Sequence, residues 1–273
     1  WSCDMHPSLD FLKLPYVALG HGFDVSRYLK SKEGYAEHLG RLFSAKAILV
    51  PSEFLKAVLS KRTCLSHDKI EALPCGVDLN HFAFSSTASR GNLVFVGRFV
   101  EKKGPLLLLE AFKKSIDSGA PLHLRMGGDG PLLDAAKAYV MEQGLSERVT
   151  FLGILSHEAV YQEIRSATAV LQHSITAVNG DTEGLPVILQ EALAVGTPVV
   201  ATKHSGIPEI ITHGRHGYLV HEKDVNGMAN AIIQVSQLSE DAYTDMRSAC
   251  RLRAETLLSC ERRIDWLEAQ IAE

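Results

Sequence analysis

The sequence predicts an α/β protein organised around a doubly wound parallel sheet. From residue 92 onward, short β-branched runs alternate with longer stretches of helical periodicity, as expected when helices cover both faces of a parallel sheet. Prolines recur where a strand or loop gives way to a helical pattern. The 273 residues are 46% hydrophobic and 22% charged, which is typical of a globular protein with a sizeable core.

Six apolar runs are the predicted strands of this sheet. They cover residues 92–96, 122–126, 148–152, 169–172, 198–202 and 218–221. Several helices are predicted to begin at a proline, which loses no needed hydrogen bond in the first turn. These prolines are Pro105, Pro131, Pro186 and Pro208. Three polar residues are predicted to cap helix N-termini with a side-chain oxygen. They are Ser52, Ser156 and Asp224.

The part before residue 92 reads as the end of another α/β unit. It contains predicted strands at 16–19, 47–50 and 70–73 and a helix at 53–60. We predict a first, incomplete Rossmann-like domain at 1–85, a linker at 86–91, a complete domain at 92–240 and C-terminal helices at 241–273, which could fold back toward the first domain. Because the length corresponds to about 1.8 ordinary domains and the chain starts with Trp1, we expect the beginning of the first domain to be absent.

Composition excludes several classes of function. With 28 Lys and Arg against 32 Asp and Glu, the net charge of −4 argues against a nucleic-acid-coating or polybasic membrane protein. The five cysteines are widely spaced without a CxxC pair, which favours a reducing, cytoplasmic setting. No apolar run approaches the roughly 20 residues of a membrane span. The 12 histidines form no HExxH motif or clear ligand triad, so no required metal is predicted.

The loop after the strand at 92–96 is a candidate anion site. It contains Gly97, Arg98 and Lys103 and ends at Gly104 and Pro105. The carboxyl ends of parallel strands line the ligand crevice, where Arg98 and Lys103 together could neutralise a diphosphate. A solvated basic loop would contain the same residues, and both interpretations remain open on this pattern alone.

Two glycine turns give weaker signals. Gly128 and Gly130 follow the strand at 122–126, and Ser205 and Gly206 follow the strand at 198–202. Glycine allows close backbone approach to a phosphate, and a helix N-terminus favours negative charge. A tight strand-to-helix turn explains the same residues. The glycines do not follow GxGxxG, which argues against a nicotinamide dinucleotide site.

The most informative segment covers residues 179–192. Glu183 lies in its loop and Glu191 in the helix that Pro186 is predicted to start, with seven residues between the two carboxylates. Carboxylates accept hydrogen bonds from pairs of sugar hydroxyls, and the free N–H groups near residues 184–187 can hold phosphate or sugar oxygens. A favourable acidic first turn explains one carboxylate but not the polar, glycine-broken loop before it.

Histidines provide one further candidate. His21 lies between Gly20 and Gly22, in an open turn where a donor could meet a substrate, although the pattern taken alone favours a surface histidine. His213 and His216 are three residues apart, but the glycines around them indicate a turn.

Taken in this order, the motifs resemble those of the retaining nucleotide-sugar glycosyltransferases of family 4, which have the GT-B architecture of two facing Rossmann-like domains. The resemblance covers residues 15–222. The matching motifs are His-Gly-x-Asp, Gly-Arg-x4-Lys-Gly, Gly-x-Gly-Pro-Leu, Phe-Leu-Gly, Glu-x7-Glu with Glu-Gly-Leu-Pro, and Gly-Ile-Pro-Glu. Their joint order and their placement after successive strands carry the resemblance.

The resemblance implies a role for each matching residue. Arg98 and Lys103 would bind the donor diphosphate and stabilise the leaving nucleotide, while Glu191 would hold the ribose hydroxyls. Glu183 would orient the transferred sugar, and His21 would approach that sugar from the first domain. The other implied donor-binding positions are Gly97, Gly128, Gly130, Gly153, Gly184, Leu185, Pro186, Val187, Ser205 and Gly206.

The implied activity is transfer of a hexose from a UDP- or GDP-sugar to a saccharide or lipid-linked acceptor, with no cofactor and no required metal. Similarity to colanic-acid-type exopolysaccharide members implies bacterial surface polysaccharide synthesis in the cytoplasm, with peripheral contact at the inner face of the membrane. Because the first domain is expected to be incomplete, a catalytically silent nucleotide-sugar-binding module is the main alternative. An epimerase or a pyridoxal-phosphate-dependent phosphorylase is a further one, although no lysine lies in a recognisable cofactor context.

Overall fold

The computed structural model describes residues 16–22, 25, 35–84 and 90–272, which form two parallel α/β units. The first unit contains a sheet in the order β1-β2-β3. Its strands are β1 (Val17–Leu19), β2 (Ala47–Val50) and β3 (Ile70–Ala72). All of them are parallel, and β2, which is fully buried, lies in the middle.

The second unit contains a six-stranded parallel sheet in the order β6-β5-β4-β7-β8-β9. Its strands are β4 (Asn92–Val96), β5 (His123–Gly127), β6 (Val149–Gly153), β7 (Ala169–Gln172), β8 (Val199–Thr202) and β9 (Gly217–Val220). The strand order reverses between β4 and β7, so a crevice opens at the carboxyl ends of these two strands. The predicted fold class, a doubly wound parallel sheet beside a smaller Rossmann-like unit, is confirmed.

Several strand boundaries differ by one residue from those predicted. The predicted strands at 122–126 and 148–152 lie at His123–Gly127 and Val149–Gly153, because Gly127 pairs with both Val96 and Gly153. At the other edge the strand begins at Gly217, which pairs with Val199. Hydrogen bonding between the backbones of neighbouring strands determines where each strand begins and ends. Glycine takes part in this bonding as well as other residues do, although its lack of an apolar side chain hides it from a hydrophobicity pattern.

The helices of the described residues cover both sheets. They are α1 (Tyr35–Ser44), α2 (Glu53–Thr63), α3 (Pro105–Asp117), α4 (Leu133–Glu142), α5 (His157–Arg165), α6 (Val187–Val195), α7 (Ile207–Ile210), α8 (Val225–Ser236), α9 (Glu240–Leu257) and α10 (Cys260–Ala272). Short 3₁₀ turns lie at His67–Lys69 and Glu101–Lys103. None of the helices described is long and apolar enough to cross a membrane.

The predicted N-caps are confirmed, and two of the four prolines lie in the first turn of a helix, although α7 begins at Ile207, one residue before Pro208. The side chains of Ser52, Ser156 and Asp224 each accept a hydrogen bond from a backbone N–H in the first turn of α2, α5 and α8. Pro105 and Pro208 occupy the first turn of α3 and α7.

The predictions for the other two prolines are wrong by one or two residues. Pro186 is the extended N-cap of α6, which begins at Val187, because the loop before the helix continues through the proline. Pro131 precedes α4, which begins at Leu133, because the backbone N–H of Leu132 donates to Phe99 O and ties the turn to the neighbouring loop.

Apolar layers cover both faces of the six-stranded sheet. On one face, α3 and α8 pack against the sheet around Phe95 and Phe112, both of which are fully buried. On the other face, α6 and α9 pack together around Leu189 and Ala254. Burial of one large apolar side chain stabilises the fold by about 1.5–3 kcal/mol, so these layers hold the strand ends firmly in place.

The chain passes between the two units at two adjacent crossings. Val77 donates its backbone N–H to Leu258 O at 2.7 Å, and the N–H of Cys260 donates to Val77 O at 3.2 Å. From this bridge α10 runs along the first unit, where Lys46 Nζ donates to Gln270 O at 2.7 Å. Residues 1–15 of the predicted first domain and 86–89 of the predicted linker lie outside the described residues, so the domain boundaries stay a prediction.

Glu209 of α7 makes a second link between the units. Its carboxylate accepts from the backbone N–H groups of Glu53 at 2.9 Å and Phe54 at 2.8 Å, which are the free donors of the first turn of α2. A carboxylate at a helix N-terminus is favourable both as a cap and against the helix dipole. This contact holds α2 against the second unit beside the crevice.

Candidate functional site

A cavity of about 480 Å³ lies between the two units, at the carboxyl ends of their strands. The first unit contributes His21, Gly22, Pro51 and Cys75 to its wall. The second unit contributes Val96, Gly97, Arg98, Lys102, Lys103, Glu183, Gly184, Leu185, Pro186, Val187 and Ile188. The cavity therefore coincides with the crevice that the strand order places at β4 and β7.

Among the described cations in the wall of this cavity, Arg98 is the one without an ion pair. It follows β4 directly, it is exposed, and it makes no hydrogen bond or ion pair with any described residue. A guanidinium offers a planar fork that matches two phosphate oxygens. Its position in the wall leaves that fork available to a bound anion.

Lys103 is held by the 3₁₀ turn that ends the same loop. The next residue, Gly104, has φ of +57°, and a Cβ there would lie 2.1 Å from His173 O. Only glycine fits this close approach, so the turn is pressed against the end of β7. The backbone N–H of Ile175 also donates to Lys102 O at 2.9 Å. The basic loop is thus fixed relative to the loop that follows β7.

Two lysines meet two carboxylates across the cavity. Lys103 Nζ lies 3.1 Å from Glu183 Oε2, and Lys102 Nζ lies 3.1 Å from Asp181 Oδ1 and 3.9 Å from Glu183 Oε1. Glu183 is 7% exposed, which makes this a largely buried cluster. Sequence reasoning missed Lys102 and Asp181, although Lys102 stands next to Lys103 and Asp181 lies in the segment that contains Glu183.

The segment after Glu183 joins the loop to α6 and contacts the first unit. A Cβ on Gly184 would lie 2.7 Å from Leu55 Cδ1, and a Cβ on Gly22 would lie 2.7 Å from Gly184 N. The two units therefore touch backbone to backbone at this point. His21, the neighbour of Gly22, is exposed in the cavity wall opposite the second unit. The free N–H groups at the start of α6 face the same region.

Glu191 lies in a smaller, neighbouring cavity of about 330 Å³. Val187 lines both cavities and forms their shared wall. The other residues around Glu191 are Gly76, Val77, Asp78, His81, Phe82 and His157. No described residue donates to the Glu191 carboxylate, and burial raises the pKa of Glu191 to about 7.

Besides Glu191, five predicted donor-binding positions lie outside the wall of the larger cavity. A Cβ on Gly128 would meet Gly97 O at 2.0 Å, and one on Gly130 would meet Phe99 O at 2.7 Å, so these glycines allow two loops to pack. Gly153 is exposed, and its carbonyl accepts from the N–H of Gly128 at 2.7 Å. The observed contacts of these three residues are with neighbouring backbone.

Ser205 and Gly206, the other two positions, lie where α7 meets the first unit. The N–H of Gly206 donates to Gly184 O at 3.1 Å, and a Cβ on Gly206 would lie 2.6 Å from Ser52 Cβ. The Ser205 hydroxyl is buried without a hydrogen-bond partner among the described residues. The structure thus places this turn behind the Glu183 loop.

Two buried histidines that sequence reasoning did not select lie next to the site. His204 Nε2 accepts from the N–H of Glu183 at 3.1 Å, and its Nδ1 lies 2.5 Å from Glu222 Oε1. His173, at the end of β7, is fully buried, and burial lowers its pKa to about 4. No pattern in the sequence distinguishes these two residues from the other ten histidines. Within the described part of the chain, no group of three or more potential ligands could hold a metal ion.

Two parallel Rossmann-like units that face each other across a cleft define the GT-B class of fold. Residues 79–253 match the model of the family described as Glycosyl transferases group 1, and the chain belongs to this family. The resemblance inferred from the ordered motifs is therefore confirmed.

The chain is similar to glycosyltransferases of bacterial exopolysaccharide assembly. It is 31% identical over 252 residues to the amylovoran biosynthesis glycosyltransferase AmsK of Erwinia amylovora, a match that covers 91% of this chain and 61% of the relative. It is also 31% identical over 247 residues to WcaL of Salmonella typhimurium, which is described as a glycosyltransferase of colanic acid biosynthesis; that match covers 89% of this chain and 60% of WcaL. The chain thus spans about three fifths of the length of these relatives.

Solved structures of the same fold include two that cover most of the chain. The structure of Anabaena HepE in complex with UDP and glucose aligns with a TM-score of 0.84 and 18% identity, over 97% of this chain and 73% of HepE. The sucrose-phosphate synthase of Thermosynechococcus elongatus aligns with a TM-score of 0.77 and 22% identity, over 97% of this chain and 70% of the synthase. These likenesses show the GT-B fold.

Proposed function

We propose that the chain acts as a retaining glycosyltransferase that moves a hexose from a UDP- or GDP-sugar to a saccharide or lipid-linked acceptor. The similarity to AmsK and WcaL supports a role in bacterial surface polysaccharide synthesis. The same similarity supports work in the cytoplasm, with peripheral contact at the inner face of the membrane. The proposal requires neither a metal nor a cofactor.

The observation that supports this function best is the cation pair at the end of β4. Arg98 has no partner among the described residues, and Lys103 also lies in the wall of the cleft, which contains the N-terminus of α6. As the bond from sugar to diphosphate breaks, negative charge grows on the leaving phosphate. Fixed positive groups at that position stabilise the transition state more than the ground state.

Glu183 is suited to orient the sugar rather than to attack it. Among the described residues that line the larger cavity, it is the one carboxylate, and it is ion-paired with Lys103. The ion pair holds the carboxylate in one direction, so it can accept hydrogen bonds from sugar hydroxyls. Retention in this proposal uses attack on the face that the leaving group vacates, without a covalent glycosyl-Glu183 intermediate.

The remaining parts of a donor can be assigned to neighbouring walls. Glu191 lies one cavity away from the cations, across Val187, at a position suited to ribose hydroxyls. His21 faces the second unit from the opposite side and would approach the sugar there. The end of β6 at Gly153 is assigned to the base.

Calorimetric titration of the chain with UDP, GDP and ADP, and then with UDP-glucose and GDP-mannose, tests the proposal. We expect one of UDP and GDP to bind, with the corresponding sugar donor hydrolysed or transferred. Binding without turnover, both in this chain and in a version extended to the length of AmsK, would instead favour a nucleotide-sugar-binding module. Failure of every nucleotide to bind would contradict both interpretations.

A further inference from the structure

The loop that carries Glu183 is attached to the ends of two strands that do not line the cavity. Thr202 Oγ1, at the end of β8, donates to Ser174 O at 2.6 Å. Glu222, just after β9, accepts from the N–H of Thr176 at 2.9 Å. The beginning of the loop is therefore tied to β8 and β9, on the side away from the cavity.

His204 holds the backbone of Glu183 itself. The imidazole is 1% exposed, and its Nε2 accepts from the N–H of Glu183 at 3.1 Å. Because a backbone N–H can only donate, Nε2 must carry a lone pair, which assigns the ring proton to Nδ1. Nδ1 then donates to Glu222 Oε1 across 2.5 Å. One carboxylate thus selects the tautomer that Glu183 requires.

Glu222 is suited to hold this tautomer because it stays ionised. Burial acts to raise the pKa of Glu222, but the hydrogen bonds from His204 and from the N–H of Thr176 outweigh burial and lower it overall. Its two oxygens have different tasks, since Oε1 accepts from His204 and Oε2 from Thr176. The same carboxylate therefore fixes the start of the loop and, through His204, the residue near its end.

The far side of Glu183 is fixed by the turn after His204. Gly184 O accepts from the N–H of Gly206 at 3.1 Å, so the residue pair 183–184 is hydrogen-bonded to the 204–206 turn at both ends. Ser205 between them has φ of +48°, a left-handed conformation that is costly for a residue other than glycine. The fold maintains this conformation while the turn presents both groups to the loop.

We propose that His204 and Glu222 are positioning residues that set the direction of the Glu183 carboxylate toward the donor sugar. This inference rests on the proposed function, because it assigns Glu183 to the sugar. Neither residue lines the larger cavity, so both act through the backbone of Glu183. Their removal should weaken recognition of the sugar and leave recognition of the nucleotide intact.

The isosteric variant Glu222→Gln tests the chain of hydrogen bonds directly. While its amide oxygen accepts from Thr176, its NH₂ group faces His204 Nδ1, which must then accept and leave the ring proton on Nε2, against the N–H of Glu183. Loss of one hydrogen bond to a charged group weakens an interaction about tenfold or more. We expect the affinity gain of UDP-glucose over UDP to fall by about that factor, with UDP affinity unchanged within about twofold. If GDP is the nucleotide that binds, GDP-mannose and GDP replace them.

Two further variants separate positioning from a merely structural role. His204→Ala should abolish the sugar increment, while His204→Gln should recover part of it, because a Gln side chain can still accept from the N–H of Glu183. His216→Ala is the matched control: His216 is 3% exposed and its Nδ1 likewise accepts a backbone N–H, that of Thr212, at 3.0 Å. We expect both alanine variants to lower the melting temperature and only His204→Ala to change the sugar increment.

A double variant that combines His204→Ala with Glu183→Gln completes the test. If His204 acts through Glu183, the double variant should bind UDP-glucose no more weakly than Glu183→Gln alone. Independent, additive losses, or a sugar increment in Glu222→Gln equal to that of the unmutated chain, would overturn the inference while the proposed function stands. If the unmutated chain binds neither UDP nor GDP, the proposed function fails and the inference fails with it.

Discussion

Each of the two cavities at the N-terminus of α6 contains one carboxylate from the segment around that helix, Glu183 in the larger cavity and Glu191 in the smaller one. The described residues around these two carboxylates differ in charge. Glu183 in the larger cavity lies 3.1 Å from Lys103 Nζ and 3.9 Å from Lys102 Nζ. No Lys or Arg of the described wall of the smaller cavity lies against Glu191, and burial raises its pKa to about 7. The two carboxylates therefore differ in the cations that the described residues place beside them.

The difference matches what each cavity is proposed to hold. A diphosphate brings negative charge, which suits the wall that contains Arg98 and the two lysines. A ribose is neutral and offers two hydroxyls, which suits a wall whose described residues include the Glu191 carboxylate but no Lys or Arg. The wall of the larger cavity offers cations to a charged ligand. In the smaller cavity burial raises the pKa of Glu191, so the charge of that cavity changes with pH near neutrality.

The largest effect is expected in the larger cavity, on the rate of the reaction. Arg98→Ala should lower transfer or donor hydrolysis by about 10²–10³, the usual cost of removing one group that stabilises developing charge. Because the Arg98 side chain contacts no partner in the described part of the chain, the melting temperature should not change. Steady-state rates and thermal unfolding measure the two expectations.

Lys113→Ala provides the control for Arg98→Ala. Lys113 is a cation of the same unit whose partner is Asp117 on α3, away from the cavity. Its replacement should leave the rate unchanged. Near-normal turnover in Arg98→Ala would exclude Arg98 from the diphosphate site.

The second largest effect is expected in how the free energy of unfolding depends on pH, through Glu191. In the unfolded chain Glu191 loses its proton near pH 4.5, whereas in the folded chain it keeps the proton to about pH 7. The folded state therefore binds more protons between these values, and Glu191 should lower the free energy of unfolding as the pH rises across this interval, by up to about 3 kcal/mol. Above pH 7 this contribution should be constant. Denaturant unfolding from pH 4.5 to 8, compared with Glu191→Gln, isolates it.

The comparison with Glu191→Gln is needed because two histidines act in the opposite direction. Burial lowers the pKa of His173 and of His216 to about 4, so their contribution to stability is lost as the pH falls from 6.5 toward 4. The difference between the variant and the unmutated chain removes their effect. Nucleotide affinity should rise over pH 6–8 in the unmutated chain alone, since the ionised carboxylate accepts the ribose hydroxyls better. An identical pH dependence in both proteins would show that Glu191 does not titrate in this range.

The smallest effect concerns the contact of Glu209 with the N-terminus of α2, which joins the two units beside the larger cavity. Glu209→Ala removes the cap from the N-terminus of α2, which should cost on the order of 1 kcal/mol and favour a wider cleft. Small-angle X-ray scattering should show a larger radius of gyration, and UDP or GDP should bind a few-fold more weakly. Glu255→Ala, which breaks an exposed pair with Arg251, is the control. Unchanged scattering in Glu209→Ala would mean that other contacts suffice to hold the units together.

The sequence predicted the sheets well because a strand buried on both faces must be apolar throughout. β4, β7 and β2 lie where those runs indicated, and deviations occur where glycines such as Gly127 and Gly217 extend the backbone pairing. Residues at the ends of parallel strands were predictable for the same geometric reason. Arg98, Lys103, Glu183 and His21 come together, although their roles stay predictions.

Contacts that depend on how loops approach each other were not predictable. The missing side chain of Gly128 makes room for Gly97 O, a contact that the glycine pattern does not indicate. The pairing of His204 with Glu222 arises because β8 and β9 are neighbours whose ends lie side by side. The position of Pro51 in the cavity wall depends on the approach of the first unit, which no local pattern encodes.

The crossing at Val77 and Cys260 has a consequence for the order of folding. The larger cavity takes wall residues from His21 to Ile188, and the first unit is then held by a contact between Lys46 and Gln270, which are 224 residues apart in the chain. Contacts of such separation form late, because the entropy of closing long loops must be overcome first. The cavity should thus be among the last features to form during folding, after each sheet has acquired its own core.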